Sequence, residues 1–348
     1  MIYGSKRAKH LTIRDIARLA EVSRSTVSLA INDSPRINAK TKHHVLEIIK
    51  KVGYHPNVMA RALVEKKSRV ISILVPQIDH VFSDFYFSET VSGVLDVGYK
   101  QNYRVMLEVA TQDFIAKRVY LKLFQEQRID GMLLVGTLTT DSYIHDLRSA
   151  GYPIVLVNSE MEGVSSVVAD NVKGTRDAVK YLCQKGHRKF GYIKGLDITT
   201  TGLQRDEGFQ KAVRELNVEF RQEWIGYGNF SERSGYEAMC AILKSKRHPT
   251  AVFATNDMMA IGAIKACHEL GLNVPGDIAI IGGDDVLLAS YFKPTITTIK
   301  QSMYDLGSLA TTMLLQIIDH KITPPARRVI QTELIVRESC GGLLQEVR

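Results

Sequence analysis

The chain has 348 residues, 45% of them apolar and 24% charged, with a formal net charge of +8. That length admits two or three domains, and the lack of any run of about 18 uninterrupted apolar residues excludes helices that cross a bilayer. The charge is uneven: residues 1–69 carry fifteen Lys and Arg against five Asp and Glu, and the remainder carries thirty against thirty-two, so the first fifth of the chain holds +10 and the rest −2. A basic module on a near-neutral body suits a polyanion partner, and phosphate neutralisation is the commonest use of such asymmetry.

In chain order, the first segment is basic and polar without an apolar signal region, so a cytoplasmic protein is expected. Thr12 with Asp15 three positions on forms a capping box ahead of Ile13, Ile16, Ala17 and Ala20, so a helix starts there and ends near Leu19 or Ala20. Ser23 with Thr26 caps a second helix carrying Val27, Ala30 and Ile31 on one face. Two short helices joined by a tight turn make a helix-turn-helix. The second helix turns Arg24 and Ser25, and one turn later Ser28 and Leu29, toward the major groove of double-stranded DNA; packing in a small core is the alternative for Leu29. Asn38 caps a third helix, Ala39 to Val52, whose Val45, Leu46, Ile48 and Ile49 close that core before Gly53 ends it. After Pro56, the segment from Asn57 to Leu63 has a capped helical pattern under two turns long, which by itself is marginal in water because isolated helices shorter than roughly 12 residues are. Residues 65–69 read as a polar linker.

From Val70 the sequence alternates short apolar runs with amphipathic stretches. Arg69–Pro76, Tyr103–Val109, Gly131–Val135, Pro153–Val157, Phe190–Ile193, Ala251–Ala254 and Ile278–Ile281 read as buried parallel strands, with helices at Glu89–Asn102, Val172–Lys185, Arg205–Leu216, Ser231–Leu243 and Asn256–Leu270 between them. Met303–His320 reads as a further helix and Arg328–Val336 as a last strand. Repeated βα units imply two doubly wound lobes of an α/β fold, dividing near Asp170 and returning through Thr295–Gln301. The expected organisation is a headpiece over 1–56, a hinge over 57–68, a first lobe over 69–168 and 299–326, and a second over 169–298 and 327–340. Ligands in this architecture bind beyond the carboxyl ends of strands, between the lobes. Arg205 after Thr199-Thr200-Thr201, the Asn256-Asp257 pair and Asp284-Asp285 are placed there, each with helix capping or a turn as its plain alternative. One guanidinium, one or two carboxylates and an amide suit a neutral polyol.

The strings TIRDIARLAEVSRSTVSLAIND, from Thr12, and NAKTKHHVLEIIKKVGYHPNVMARAL, from Asn38, resemble the headpiece and hinge helix of the lactose/galactose repressor (LacI/GalR) family, and the resemblance runs to about Cys340. It implies a periplasmic-binding-protein-like body and a transcriptional repressor whose DNA affinity is set by a small molecule, expected to be a carbohydrate. It places Arg24, Ser25 and Leu29 at base-reading positions, with Thr12, Ser23 and Asn32 near the backbone; Thr26, Arg36, Asn38, Asn57 and Ala60 complete the DNA-facing set, and Leu63 is the residue that wedges into the minor groove. The effector set it implies is Tyr86, Phe87, Thr137, Asn158, Thr201, Arg205, Asn256 and Asp284, the arginine belonging to a segment in which Gly208 and Phe209 also agree. The chain departs from the family at Leu29, where Arg is usual, at Glu21 in the turn, where Gly is usual, at Asn158, where many have Asp, and at Gly283, where a large aromatic is usual. Leu29 cannot make the bidentate hydrogen bonds to guanine that Arg makes and suits an apolar contact to a thymine methyl, and Gly283 suggests a roomier pocket.

Residues 341–348 are too few for a tetramer-forming leucine-heptad bundle, so a homodimer on a palindromic operator is expected. Cys183, Cys240, Cys267 and Cys340 lack metal or disulfide spacing and fit reduced thiols. No cofactor or metal site is expected. An enzyme is the first rival, but GxGxxG after a strand, GxxxxGK(S/T), GxSxG and HExxH are all missing. A solute-binding protein and an architectural DNA-binding protein are the other two.

Overall fold

A computed structural model describes residues 11–31, 33–54, 67–78 and 81–341, which divide into two compact units between Ser68 and Arg69. In the first unit, α1 (Ile13–Leu19) begins at the Thr12 capping box, the Thr12 hydroxyl and N–H both meeting the Asp15 carboxylate at 2.7 and 2.9 Å. Glu21 takes a φ of +51° in the turn that follows, and the Ser23 hydroxyl accepts the Thr26 N–H at 3.1 Å to start α2 (Arg24–Ile31). Asn38 caps α3 (Ala39–Val52) and Gly53, at φ +63°, closes it in the left-handed conformation that glycine adopts without steric cost. Ile16, Ala17, Ala20, Val27, Ala30, Val45 and Tyr54 are the core. Ile48 and Ile49 pack against it as expected, but Leu46 stays 40% exposed because only part of the third helix's apolar arc faces the first two helices.

The second unit contains β1 (Val70–Pro76), α4 (Phe85–Lys100), β2 (Arg104–Ala110), α5 (Gln112–Ala116), α6 (Val119–Gln125), β3 (Gly131–Val135), α7 (Tyr143–Ser149), β4 (Ile154–Val157) and β5 (Ser165–Ala169). The chain continues through α8 (Asn171–Gln184), β6 (Lys189–Lys194), α9 (Thr200–Glu215), β7 (Glu219–Tyr227), α10 (Glu232–Leu243), β8 (Ala251–Ala254), α11 (Asp257–Glu269), β9 (Ala279–Asp284), α12 (Leu287–Tyr291), β10 (Thr297–Lys300), α13 (Met303–Ile318), β11 (Arg327–Ile330) and β12 (Glu333–Ile335). Two six-stranded sheets result, ordered β11-β5-β4-β3-β1-β2 and β12-β10-β9-β8-β6-β7. The first is wholly parallel; in the second only the β10–β12 edge pair is antiparallel. Helices cover both faces, as a sheet of fully buried apolar strands requires: β1, β3, β4 and β8 carry almost unbroken burial.

The chain passes between sheets after β5, after β10 and after β11. The last passage corrects two expectations. Arg328–Val336 is not one strand of the second lobe: Arg327–Ile330 pairs with β5 in the first sheet, and Glu333–Ile335 pairs with β10 in the second. Gln331 and Thr332 make the passage, the Thr332 hydroxyl donating to the Asp170 carbonyl at 3.2 Å beside the first passage. The apolar alternation simply continues through it. Likewise β10 lies whole in the second sheet, so that lobe extends to Lys300.

Candidate functional site

The headpiece residues expected at DNA lie on its surface. Arg24, Ser25, Arg36, Asn38, Thr12 and Ser23 are exposed, while Thr26 and Ser28 are half-buried. Leu29 is half-buried and is not among the residues packed on the headpiece core, so the core does not account for it. Several of these groups also have local duties: Thr12, Ser23 and Asn38 each cap a helix, the Asn38 carboxamide accepting the Thr41 N–H at 2.8 Å. Asn32, Asn57, Ala60, Leu63 and the hinge helix lie outside the described residues, as do residues 342–348.

In the body, residues at the carboxyl ends of the two sheets meet at the boundary between the lobes, where the crevice is expected: Asn158 is bonded to Gln301 and Ser159 to Thr200. Arg205, expected to open its helix, lies in the second turn of α9, because the Thr199 hydroxyl accepts the Gly202 N–H at 3.1 Å and sets the start at Thr200. The Arg205 side chain is 2% exposed. Its Nη2 meets Asp284 Oδ1 at 2.7 Å, its Nε donates to Asn171 Oδ1 at 3.0 Å and its Nη1 donates to the Thr255 carbonyl. Asp284, at the end of β9, has φ +114° and Asp285 has φ +58°, and this strained pair of conformations sends the two carboxylates apart. Asp284 turns to the crevice and also accepts from Gln301 Nε2 at 2.7 Å, whereas Asp285 is held by Arg337 at 2.6 Å. Burial lifts the Asp284 carboxyl above its ordinary range, with Arg205 and Gln301 opposing the rise.

From the first lobe, Asn158 takes φ +52° and joins the cluster by donating to Gln301 Oε1 at 3.3 Å while accepting the Ala169 N–H at 3.1 Å. Tyr86 donates to the Val157 carbonyl at 3.3 Å; burial pushes its phenol up, and the Asp284 and Asp84 carboxylates add to the rise. Phe87 is 6% exposed and belongs to the first lobe's core, its ring against Gly136. Thr137, just past β3, is 5% exposed and its hydroxyl has no hydrogen-bond partner among the described residues. Thr201 is half-buried on α9. Asn256 is a cap: its oxygen accepts the Met259 N–H at 2.9 Å and its amide donates to the Phe230 carbonyl at 2.9 Å. The structure thus joins Arg205, Asp284 and Asn158 in one network, leaves Phe87 in the core and uses Asn256 to cap its own helix and hold the Phe230 carbonyl.

Gly283 does not open room. A Cβ there would lie 2.8 Å from both Arg205 Nη1 and the Thr255 carbonyl oxygen, so the glycine is what lets the guanidinium approach the strand end. Sequence reasoning passed over Gln301 and Asn171, although each directly follows or closely trails a strand end, and Phe230. The Phe230 ring lies against Gly195, just past β6, where a Cβ would meet its Cε1 at 2.6 Å and Thr255 Cγ2 at 3.1 Å. A separate cavity of about 310 Å³ opens at the other, amino-terminal ends of β4 and β5, lined by Tyr152, Ile154, Ile317 and Ile322 with Arg148 and His320. It lacks a buried charged pair, so the chemistry favours the crevice.

Beneath Asp284, Asp257 is fully buried and accepts the Val286 N–H at 2.9 Å. Burial pushes this carboxyl well above its ordinary range; Asp284 adds to the rise, and Thr298 and the Val286 amide oppose it. The folded protein therefore keeps a proton that the unfolded chain releases, so the associated stability is complete below about pH 4 and is lost as pH rises through the raised value. Asp257→Asn keeps the acceptor for Val286 and is expected to flatten that decline in denaturant midpoints measured across the acid-to-neutral range. An unchanged slope would assign it to another group.

The chain is similar to known proteins along nearly its whole length. Residues 12–57 match the model for "Bacterial regulatory proteins, lacI family", and residues 179–340 match that for a periplasmic binding protein-like domain. The probable HTH-type transcriptional repressor ExuR of Bacillus subtilis (strain 168) is 32% identical over 339 residues, covering 96% of this chain and 99% of the relative. The HTH-type transcriptional repressor PurR of Serratia proteamaculans (strain 568) is 37% identical over 332 residues, covering 94% and 96%. Among solved structures, the Lac repressor dimer bound to operator and the anti-inducer ONPF superposes with a TM-score of 0.83 at 25% identity, covering 95% of this chain and 99% of that one. The complex of the transcriptional regulator CelR with cellobiose gives 0.73 at 29% identity, covering 94% and 99%.

Proposed function

The chain belongs to the lacI family of bacterial regulatory proteins, and we propose that it acts in the cytoplasm as a homodimer on a palindromic operator, with a neutral carbohydrate between its lobes setting its DNA affinity. It is a DNA-binding transcriptional repressor and not an enzyme. A dimer presents two recognition helices related by a twofold axis, which calls for a twofold-symmetric site. In each half-site Arg24, Ser25 and Ser28 supply polar contacts, and Leu29 supplies an apolar one suited to a thymine methyl.

The observation that carries the effector reading is the buried Arg205–Asp284 pair at 2.7 Å. Three of the guanidinium's five N–H donors are engaged within the protein. The remaining donors, the second Asp284 oxygen and the Thr137 hydroxyl, which is without a partner among the described residues, supply both donors and acceptors to a ligand rich in hydroxyls. The pair is neutral as a unit and Asp84 lies near it, which disfavours an anion. The half-buried Phe230 ring, beside Gly195, is the aromatic group we assign to the C–H side of a sugar ring. Cellobiose, in the CelR complex, is a molecule of this class. Linkage then couples crevice and operator by a free energy that is typically about 1–3 kcal/mol, felt equally from either site.

The test is thermal unfolding of the full chain against neutral mono- and disaccharides, polyols, uronates, sugar phosphates and nucleobases. A ligand at 100 times its Kd adds about 2.7 kcal/mol to stability, a shift of several degrees for a body of this size. A shift with neutral carbohydrates alone is expected. A shift only with uronates, phosphates or bases replaces the effector class, and no shift in any arm removes carbohydrate sensing.

A further inference from the structure

Along one edge of the crevice the lobes are bonded directly to each other. Thr139, between β3 and α7, donates its N–H and its hydroxyl to the Ile198 carbonyl at 2.9 and 3.2 Å. Glu160, just past β4, is held three ways. Its N–H donates to Thr200 Oγ1 at 3.1 Å, its Oε2 accepts from Gln204 Nε2 at 2.6 Å, and its Oε1 accepts from Arg327 Nε on β11. From Gln204 the bonds run inward: Asn171 Nδ2 donates to Gln204 Oε1 at 3.0 Å, and Arg205 Nε donates to Asn171 Oδ1 at 3.0 Å.

This series has one polarity. Each donor, from the Arg205 guanidinium through two carboxamides, points toward the Glu160 carboxylate, and turning either amide over would set donor against donor and acceptor against acceptor. We propose that Glu160 and Gln204 form a latch holding the two lobes together, and that Asn171 ties the latch to Arg205, so that the grip of Arg205 and the closure of the lobes are a single event. Closure as an effector response rests on the crevice reading given above; the latch itself rests only on these contacts. Charge-assisted bonds on both Glu160 oxygens are stronger than neutral ones. An amide at this position can satisfy only one of its two donors.

The latch has two built-in reporters, since the Thr139 and Glu160 N–H groups each donate across the lobe boundary. The Asn158 N–H, donated to the Val167 carbonyl at 2.7 Å within the first lobe, is an internal control. Residue-resolved amide exchange on the full-length protein without ligand compares wild type, Gln204→Met and Asn171→Ala. Gln204→Met is expected to speed exchange at Thr139 and Glu160 together by about tenfold or more, because both open in one lobe-separating event, and to leave Asn158 unchanged. Acceleration at Glu160 alone, or no change, overturns the latch; acceleration at Asn158 as well means the lobe itself has loosened, which also overturns it. Asn171→Ala is expected to speed both reporters, and unchanged rates there break the tie to Arg205. Because no effector is used, these outcomes are separate from success or failure of the ligand panel.

Discussion

Arg205→Ala is expected to lower the unfolding free energy of the body by about 3–5 kcal/mol, the usual cost of removing one partner of a buried ion pair, and to abolish the response to effector. The guanidinium is 2% exposed and serves Asn171, the Thr255 carbonyl and Asp284 at once. Truncation leaves all three in a space that Gly283 keeps narrow, with the Asp284 carboxylate uncompensated. Urea unfolding of the wild type, Arg205→Ala, Asp284→Ala and the double variant gives the measurement. The double variant is expected to lose far less than the sum of the singles, because contacting partners are not additive. A single-variant loss under about 1 kcal/mol would mean that water replaces the guanidinium in full, and the ion pair would lose its structural part.

Ile16→Ala is expected to abolish specific operator binding while leaving the thermal transition of the body where it is. Ile16 is fully buried among Ala17, Ala20, Val27, Ala30, Val45 and Tyr54, which make up nearly all of the headpiece core. An Ile→Ala change in a core costs about 2–5 kcal/mol, and a unit this small has little more than that to lose. Calorimetry resolves the body, and operator titration reads the headpiece. If operator binding survives within twofold, the three-helix core does not limit recognition.

Much of this architecture is legible from local chemistry. The caps at Thr12, Ser23 and Asn38 and the left-handed Gly53 mark three helices because each satisfies orphan backbone groups within four residues. Strands buried on both faces announce themselves as apolar runs. The strands that escaped notice are those without such runs: β5 opens with Ser165 and Ser166, β10 opens with two threonines, and the edge strand β7 carries Glu219, Arg221, Gln222 and Glu223. In the site, Arg205 and Asp284 are readable because charged residues placed beyond strands stand out, and the family resemblance then singles out these two. Gln301, Asn171, Gln204 and Glu160 are not, because their roles arise where separate passages of the chain come side by side, and polar residues there look like any turn. Gly283 misled for the same reason: a glycine in the sequence reads as space, and only the folded chain reveals that a guanidinium fills it.

The three passages between sheets, after β5, β10 and β11, also set the mechanics of the body. A pair of bodies on one flexible tether swivels in any direction, whereas three tethers side by side behave as a strap hinge: bending across the strap is easy, and twisting or sliding along it is resisted. Whatever passes between the lobes is then compressed into a single angular coordinate. The same wiring makes neither lobe a continuous stretch of chain, so a cut in one passage leaves two others intact, and a nicked protein keeps its lobes paired.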